Sequence, residues 1–389
     1  MQNRRLIYNE LTMKRAVIAG FARSPFTLAR KGLLAIVRPD DMAAAIMRGL
    51  VEKTGINEND IEDLLMGCAF PEGEQGLNIA RLVVMLAGLP LSVGGATINR
   101  FCGSSMQSIH SAAGAIACGA GEVFIAAGVE SMSRIPMVGF NPMPNPKFYE
   151  EKGFPDAYIS MGITAENVAK KYKISRESQE EFSAASQRKA LKARDSGNFK
   201  DEIIPVGKAV EDGCIRPDTS MKGLSELEPA FDKNGVVTAG TSSPLTDGAS
   251  AVLVVSEQYA DKHSLPKLAY IKSFAISGCR PEIMGIGPVQ ASKKALARAG
   301  LSMQDIDIIE LNEAFAAQSL ACIRDLEIDP AKVNLDGGAI ALGHPLGATG
   351  ARITGKAASL LKRERKKYAL ATQCIGGGQG IATVLEAAD

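Results

Sequence analysis

Four short segments of this chain hold the residues whose types and spacing could do chemistry. ATINRFCGSSMQSIHSAAGAIACG sets Cys102 where a predicted strand, ending near Asn99, gives way to a helix. A thiol at a helix N-terminus faces free N–H groups and the positive dipole end, which lower its pKa and favour the nucleophilic thiolate. A small buried cysteine at a turn is the equally weighted plain reading. NLDGGAIALGHPLGATGARI puts His344 in a glycine-rich turn, where the backbone can fold tightly and bring the imidazole against another group. A phosphate-cradling loop is the competing use of those glycines, but neither GxxxxGKS/T nor GxGxxG occurs. In YALATQCIGGGQGIATVLE, Cys374 ends a predicted strand and three glycines follow. Exposed N–H groups there suit an oxyanion hole or a second reactive thiol, and a simple β-turn explains them too. IIELNEAFAAQ places Asn312 and Glu313 after an apolar strand, at the predicted opening of a helix. Alone, an N-cap Asn with an acidic first turn is the simpler reading.

The chain has only three histidines. His110 lies eight residues after Cys102 on one predicted helix, about 12 Å along the axis at ~1.5 Å per residue, so it cannot serve that thiol. His263, in EQYADKHSLPK, reads as a solvated helix end. If a histidine activates Cys102, it is His344.

These segments need elements to carry them. Short apolar strands alternate with amphipathic helices, which predicts an α/β fold. Strands are expected over 16–22, 61–66, 96–99 and 123–127. Helices are expected after a cap at Asp40, over 77–87, and from Cys102 onward. The plan repeats. TGINENDIEDLLMGC (54–68) resembles AGLSMQDIDIIELNE (299–313), and Asp60 maps to Asp305 at an offset of 245 residues. The same offset lays EVFIAAG on KYALATQ. Cys102 and His344 are separated by a similar interval, so the two loops should face each other across a duplicated fold. Residues 134–242 break the alternation with a Pro-rich stretch, a charged helical region and irregular polar sequence. That predicts an inserted, functional cover.

Composition narrows the function. There are 389 residues, with 44 Lys plus Arg against 43 Asp plus Glu. A net charge of +1 argues against a nucleic-acid surface. No apolar run is long enough to span a membrane. The seven cysteines are scattered, without a CxxC pair, so neither a disulfide framework nor a zinc knuckle is expected. They read as a reducing, cytoplasmic chain. MQNRRLIYNELTMKR has basic residues but no apolar signal core. Residues 1–12 read as a dispensable extension, with Met13 the natural start.

NRFCGSSMQSIH, VTAGTSSPLTDGAS, LNEAFAAQ, GGAIALGHPLGATGARI and CIGGGQG, in that order, together resemble the thiolase family of acyl-CoA acyltransferases. The resemblance runs from about Lys14 to the C-terminus. It implies an α/β, thiolase-like fold: two duplicated halves in a five-layered αβαβα core, with an inserted loop domain. The division expected is 13–133 plus 243–267 for the N-terminal half, 134–242 for the loop domain over the coenzyme A site, and 268–389 for the C-terminal half.

The resemblance also implies roles. Cys102 attacks the keto carbon of a 3-ketoacyl-CoA. His344 keeps it as thiolate and helps stabilise the thioester oxyanion, where Asn312 holds a water. Cys374 protonates the departing acetyl-CoA enolate. The N–H groups of Cys102 and Gly376 form a second oxyanion hole. Arg216 and Ser243 match positions that contact coenzyme A, Met161 sits in the pantetheine loop, and Met284 lines the acyl pocket. No metal or cofactor is implied, coenzyme A being a co-substrate. Homodimers or homotetramers are expected, with a hydratase–dehydrogenase subunit as a further partner.

EQGLNIARL, CGSSMQSIH and the short loop after Ile204 resemble the degradative 3-ketoacyl-CoA thiolases of fatty acid β-oxidation. In the acetoacetyl-CoA type a histidine commonly precedes the pantetheine-loop methionine, whereas here Ser160 does. The alternatives are an acetoacetyl-CoA thiolase working in condensation, a condensing enzyme acting on a carrier protein, and a non-catalytic acyl-CoA-binding relative.

Overall fold

The computed structural model describes residues 14–150 and 154–388. The expected extension over 1–12 and the start at Met13 lie outside the described residues.

The first half supplies strands β1 (Ala16–Arg23), β2 (Thr27–Leu28), β3 (Asp63–Gly67), β4 (Gly94–Ile98), β5 (Val123–Ser131) and β6 (Thr246–Ser256). Its helices are α1 (Pro39–Thr54), α2 (Ile79–Leu86) and α3 (Ser104–Ala117). The inserted region contributes α4 (Met161–Tyr172) and α5 (Arg176–Asp195). The second half holds β7 (Ala269–Gly278), β8 (Ile308–Leu311), β9 (Tyr368–Ile375) and β10 (Gln379–Ala387). Its long helices are α6 (Gly287–Ala299), α7 (Ala316–Asp325) and α8 (Leu346–Glu364).

The expected elements are present, with boundaries shifted by up to four residues. Asp40 does not cap α1: Arg38 is the N-cap, Pro39 takes the first turn, where its missing N–H costs nothing, and Gly55 ends the helix at φ 64°.

The strands form one hydrogen-bonded sheet in the order β4-β3-β5-β6-β1-β7-β10-β9-β8, with β2 on β6. The halves meet edge to edge through only two residue pairs, Val17–Tyr270 and Ile18–Ala269. Both repeat one pattern. β3 runs parallel to β5 and β5 antiparallel to β6, as β8 runs parallel to β9 and β9 antiparallel to β10. β4 lies parallel to β3, and its counterpart beside β8 has shrunk to a single parallel bridge, Ile309–Val333.

Side-chain alternation sorts these strands into layers. Ile125 and Ala127 of β5 pack under α1 and α2, whereas Phe124 and Ala126 face α3 and α8. Likewise Leu370 of β9 packs with α6 and α7, and Ala369 and Ala371 face the central helices. The result is five layers, helix–sheet–helix–sheet–helix, with α3 and α8 sealed between the two sheet halves. They touch at backbone distance: a side chain on Gly350 would collide with Met106, and Ser105 Oγ accepts from Ala351 N at 2.8 Å.

The inserted region is more than a cover. Its Glu202 and Asp212 pair with the fully buried Arg23 of β1 at 2.8 and 2.7 Å. Lys356 of α8 joins Glu202 at 2.9 Å and Asp336 at 2.6 Å. Charges taken out of water need such partners.

Candidate active site

Cys102 stands on the loop between β4 and α3. The helix begins at Ser104, not at Cys102. The preceding Phe101 is held at φ 43°, an uncommon conformation for a side chain of that size, with its N–H donating to Asn99 Oδ1 at 2.8 Å. Cys102 packs against Ala69, Met132 and Leu346 and keeps some contact with solvent. The Gly376 N–H points at its sulfur, and Gln373 Nε2 donates to its carbonyl.

The expectation of a thiol acidified by the helix end is not met. Burial is the largest influence and pushes the Cys102 thiol up to about 11, with the Glu130 carboxylate adding to it. The Gly376 N–H offsets only part of this.

His344 follows a short helix, Ala339–Leu342, and precedes α8 by two residues. It is buried, with its N–H donating to Thr246 Oγ1 at 3.0 Å. Thr349 Oγ1 donates to the Pro345 carbonyl at 3.0 Å and so has a lone pair left for the ring, 2.6 Å from Nδ1. Nδ1 therefore carries the proton and Nε2 a lone pair. Burial, then the Arg352 charge, lowers the imidazole to about 3, so it rests neutral. Asn312 Nδ2 stands 3.3 Å from Nε2, while Asn312 Oδ1 is buried without a partner. An orphaned buried acceptor invites water.

Cys374 ends β9 in a cluster with Ala314, Phe315, Met284 and Met161. Burial, then proximity to Cys102, raises its thiol well above the ordinary range. It stays protonated at neutral pH.

The remaining candidates divide. Met161 lies at the start of α4, its sulfur next to Gly376, and Met284 is buried beside Cys374. Ser160, which departs from the acetoacetyl-CoA pattern, caps α4 by accepting from Ile163 N at 3.4 Å. Ser243 is tied to the Asn312 turn through Ala314, to whose carbonyl its hydroxyl donates at 3.1 Å. Arg216 is exposed, and among the described residues its guanidinium forms no ion pair. His110 is structural: it stacks on Phe274 at 4.3 Å, with Nε2 2.8 Å from Thr383 Oγ1. His263 is exposed at a helix end, stacked on Tyr259.

Asn312 and Glu313 do not cap a helix, since α7 starts at Ala316, with the Phe315 N–H donating to Gln318 Oε1 at 3.1 Å. Glu313 is a buried clamp instead. It accepts from Ser186 Oγ of α5 at 2.6 Å, Asn334 Nδ2 at 2.7 Å and Ile340 N at 3.2 Å, joining the Asn312 turn to the His344 loop. Sequence reasoning also misses Thr349, Gln373 and Glu130, and the buried Arg352–Glu310 pair at 3.0 Å. Spacing alone offers a signal for two of these. Thr349 and Arg352 are one turn apart on α8, and Glu310 and Asn312 fall on one side of a strand. Among the described residues, no group of three or more His, Cys, Asp or Glu could hold a metal.

The chain matches the thiolase N-terminal domain over residues 16–258 and the thiolase C-terminal domain over 265–387. It is 48% identical over 391 aligned residues to a 3-ketoacyl-CoA thiolase of Bacillus subtilis, covering 96% of this chain and 100% of that protein. A 3-ketoacyl-CoA thiolase of Vibrio vulnificus is also 48% identical, with the same coverage. Human mitochondrial 3-ketoacyl-CoA thiolase, solved in complex with CoA, superposes with a TM-score of 0.89 at 38% identity, covering 96% of this chain and 98% of that one. With both domains matched and near-complete relatives at this identity, the chain belongs to the thiolase family.

Proposed function

We propose that this protein is a 3-ketoacyl-CoA thiolase, an acyltransferase that cleaves 3-ketoacyl-CoA with coenzyme A to acetyl-CoA and a shortened acyl-CoA, as in fatty acid β-oxidation. The observation that carries it is the convergence of Cys102, Cys374 and a neutral His344 on loops joined by Asn312, Gly376 and Gln373. In this reading the Cys102 proton passes to His344 Nε2 as the sulfur attacks the keto carbon. The oxyanion is met by His344 and by a water held at Asn312. The C2–C3 bond breaks, and Cys374 delivers its proton to C2 of the enolate, releasing acetyl-CoA. Coenzyme A then attacks the acyl-Cys102 thioester and gives its proton to Cys374. The Cys102 and Gly376 N–H groups serve this tetrahedral intermediate, and His344 returns its proton to the leaving sulfur. Both protons end where they began, so the chemistry needs no cofactor. Met161 and Met284 are assigned to the pantetheine and acyl sites, and Arg216 and Ser243 to coenzyme A.

A homodimer or homotetramer belongs to the same reading. β4 is an edge strand, flanked by the exposed Leu77 and Leu91, and open edges favour pairing with another chain. Docking of a hydratase–dehydrogenase subunit is the further partner expected. No described helix is long and apolar enough to cross a membrane. A cytoplasmic location is inferred from the seven free thiols.

The test is CoA-dependent loss of the acetoacetyl-CoA enolate absorbance, followed by kcat/KM for 3-ketoacyl-CoAs of increasing chain length. Turnover extending to long chains is the expected result. Activity confined to the four-carbon substrate would make it an acetoacetyl-CoA thiolase, and no CoA-dependent cleavage at all would overturn the assignment.

A further inference from the structure

Beneath Cys102 lies a buried carboxylate that the proposed reaction does not use. Glu130, near the end of β5, is 1% exposed. It accepts from Ala69 N at 2.8 Å, Phe70 N at 3.3 Å, Gln75 Nε2 at 2.8 Å and Gly347 N at 2.8 Å. The Cys68 thiol adds a long contact at 3.8 Å. Burial pushes the Glu130 carboxyl above its usual range, but every polar neighbour is a donor, so a carboxylic acid proton would have nothing to bind and the donors favour the anion. No Lys or Arg among the described residues pairs with it, whereas Glu202, Asp212 and Asp336 of the Arg23 network each have a cation.

Its donors frame the nucleophile. Ala69 and Leu346, the residue before Gly347, belong to the cluster on which Cys102 packs. Gly128, two residues before Glu130, lies against the Gly347 carbonyl so closely that any side chain there would collide with it. The start of α8 is thereby pressed onto β5. Glu130 thus fixes the floor of the Cys102 pocket and places there a carboxylate met by neutral donors and, among the described residues, by no cation.

We propose that Glu130 is a positioning residue whose charge adds to burial in holding the Cys102 thiol protonated in the unacylated enzyme, so that the thiolate forms only as His344 takes the proton. This rests on Cys102 being the nucleophile. The other titratable groups facing this corner are Cys68 from the end of β3, Cys374 from β9 and His344 from the glycine loop. Asp247 of β6 accepts from Ser131 Oγ at 3.1 Å, one residue beyond Glu130. Arg100, on the loop of Cys102, is turned toward Gln107 and Gln379. None of these supplies a cation that would stabilise a resting thiolate. A neutral thiol alkylates and oxidises slowly, so the arrangement protects the nucleophile between turnovers.

The test reads the thiol without turnover: the pH dependence of iodoacetamide alkylation, followed at the Cys102 peptide by mass spectrometry in the full-length protein. Its failure is therefore separable from failure of the proposed reaction. In the unmutated protein the apparent pKa should lie above the ordinary thiol value of ~8.5. A lower value overturns the proposal whatever the variants do. Glu130→Gln should bring the apparent pKa down by about one unit or more, each unit giving up to roughly tenfold more thiolate at neutral pH. Glu130→Asp keeps the charge and should leave the apparent pKa unmoved even where the melting temperature falls. An unmoved pKa in Glu130→Gln, or a lowered one in Glu130→Asp, overturns the proposal. If Glu130→Gln does not fold, the unmutated protein and Glu130→Asp still decide it.

Discussion

Cys102 and His344 occupy the same place in the two halves of the molecule, each two residues ahead of a central helix, α3 or α8. Their surroundings differ in sign. The Glu130 charge raises the thiol further, and the Arg352 charge lowers the imidazole further. Burial makes any charge costly at both positions, and each neighbour disfavours the one charge its partner could acquire. The resting pair is therefore neutral thiol and neutral imidazole, not thiolate and imidazolium. Duplication brings the two loops face to face, and in the proposed reaction divergence at equivalent positions makes one the nucleophile and the other its base.

The most damaging way to break this comparison is to remove the nucleophile. Cys102→Ala should lower kcat by on the order of 10⁴-fold or more in CoA-dependent cleavage. Removing the base comes next. His344→Ala should cost about 10²–10⁴-fold in kcat/KM, with the loss in kcat rather than in binding. Asn312→Ala removes the water-holding amide and should cost about 10²-fold in kcat.

A smaller change sharpens the contrast in sign. Arg352→Gln removes the cation that lowers the imidazole further and should raise the His344 pKa from about 3, burial still holding it below the ordinary value, so the acid limb of the kcat/KM profile should move to higher pH. Glu310→Gln keeps that cation and should bring no such shift. Equal profiles for the two variants would make the pair purely structural.

Much of this was legible because the chemistry rests on scarce residue types. Three histidines, two dismissible by position, single out His344. The offset between Asp60 and Asp305 predicts that a polar loop and the following strand recur; β3 and β8 do, and both loops fold as short helical turns, 58–60 and 303–305. What was not legible depends on contacts between distant residues. Glu313 reads locally as a first-turn acid, yet three donors from three segments bury it. Glu130 lies in an apolar strand and acquires its meaning from Ala69, Gln75 and Gly347. The thiol's pKa was misjudged for the same reason. A dipole argument sees only the helix, whereas burial and Glu130 come from the packed fold and outweigh it.

The smallest expected effect concerns stability. His110 and His344 are both lowered to about 3 by burial. The unfolded chain takes up these protons near pH 6.5, and the native state does not. Stability should therefore fall as pH drops from about 6.5 toward 3 and stay flat in this respect above it. Melting temperatures across that window should show the slope, and His110→Gln should reduce it.

The proposed reaction turns on which sulfur carries the acyl group. Incubation with acetoacetyl-CoA without free coenzyme A, acid quench and peptide mass spectrometry should find one acetyl group on Cys102, removed when coenzyme A is added. An acetyl group on Cys374, or an unlabelled Cys102 in a preparation that turns over, would contradict it.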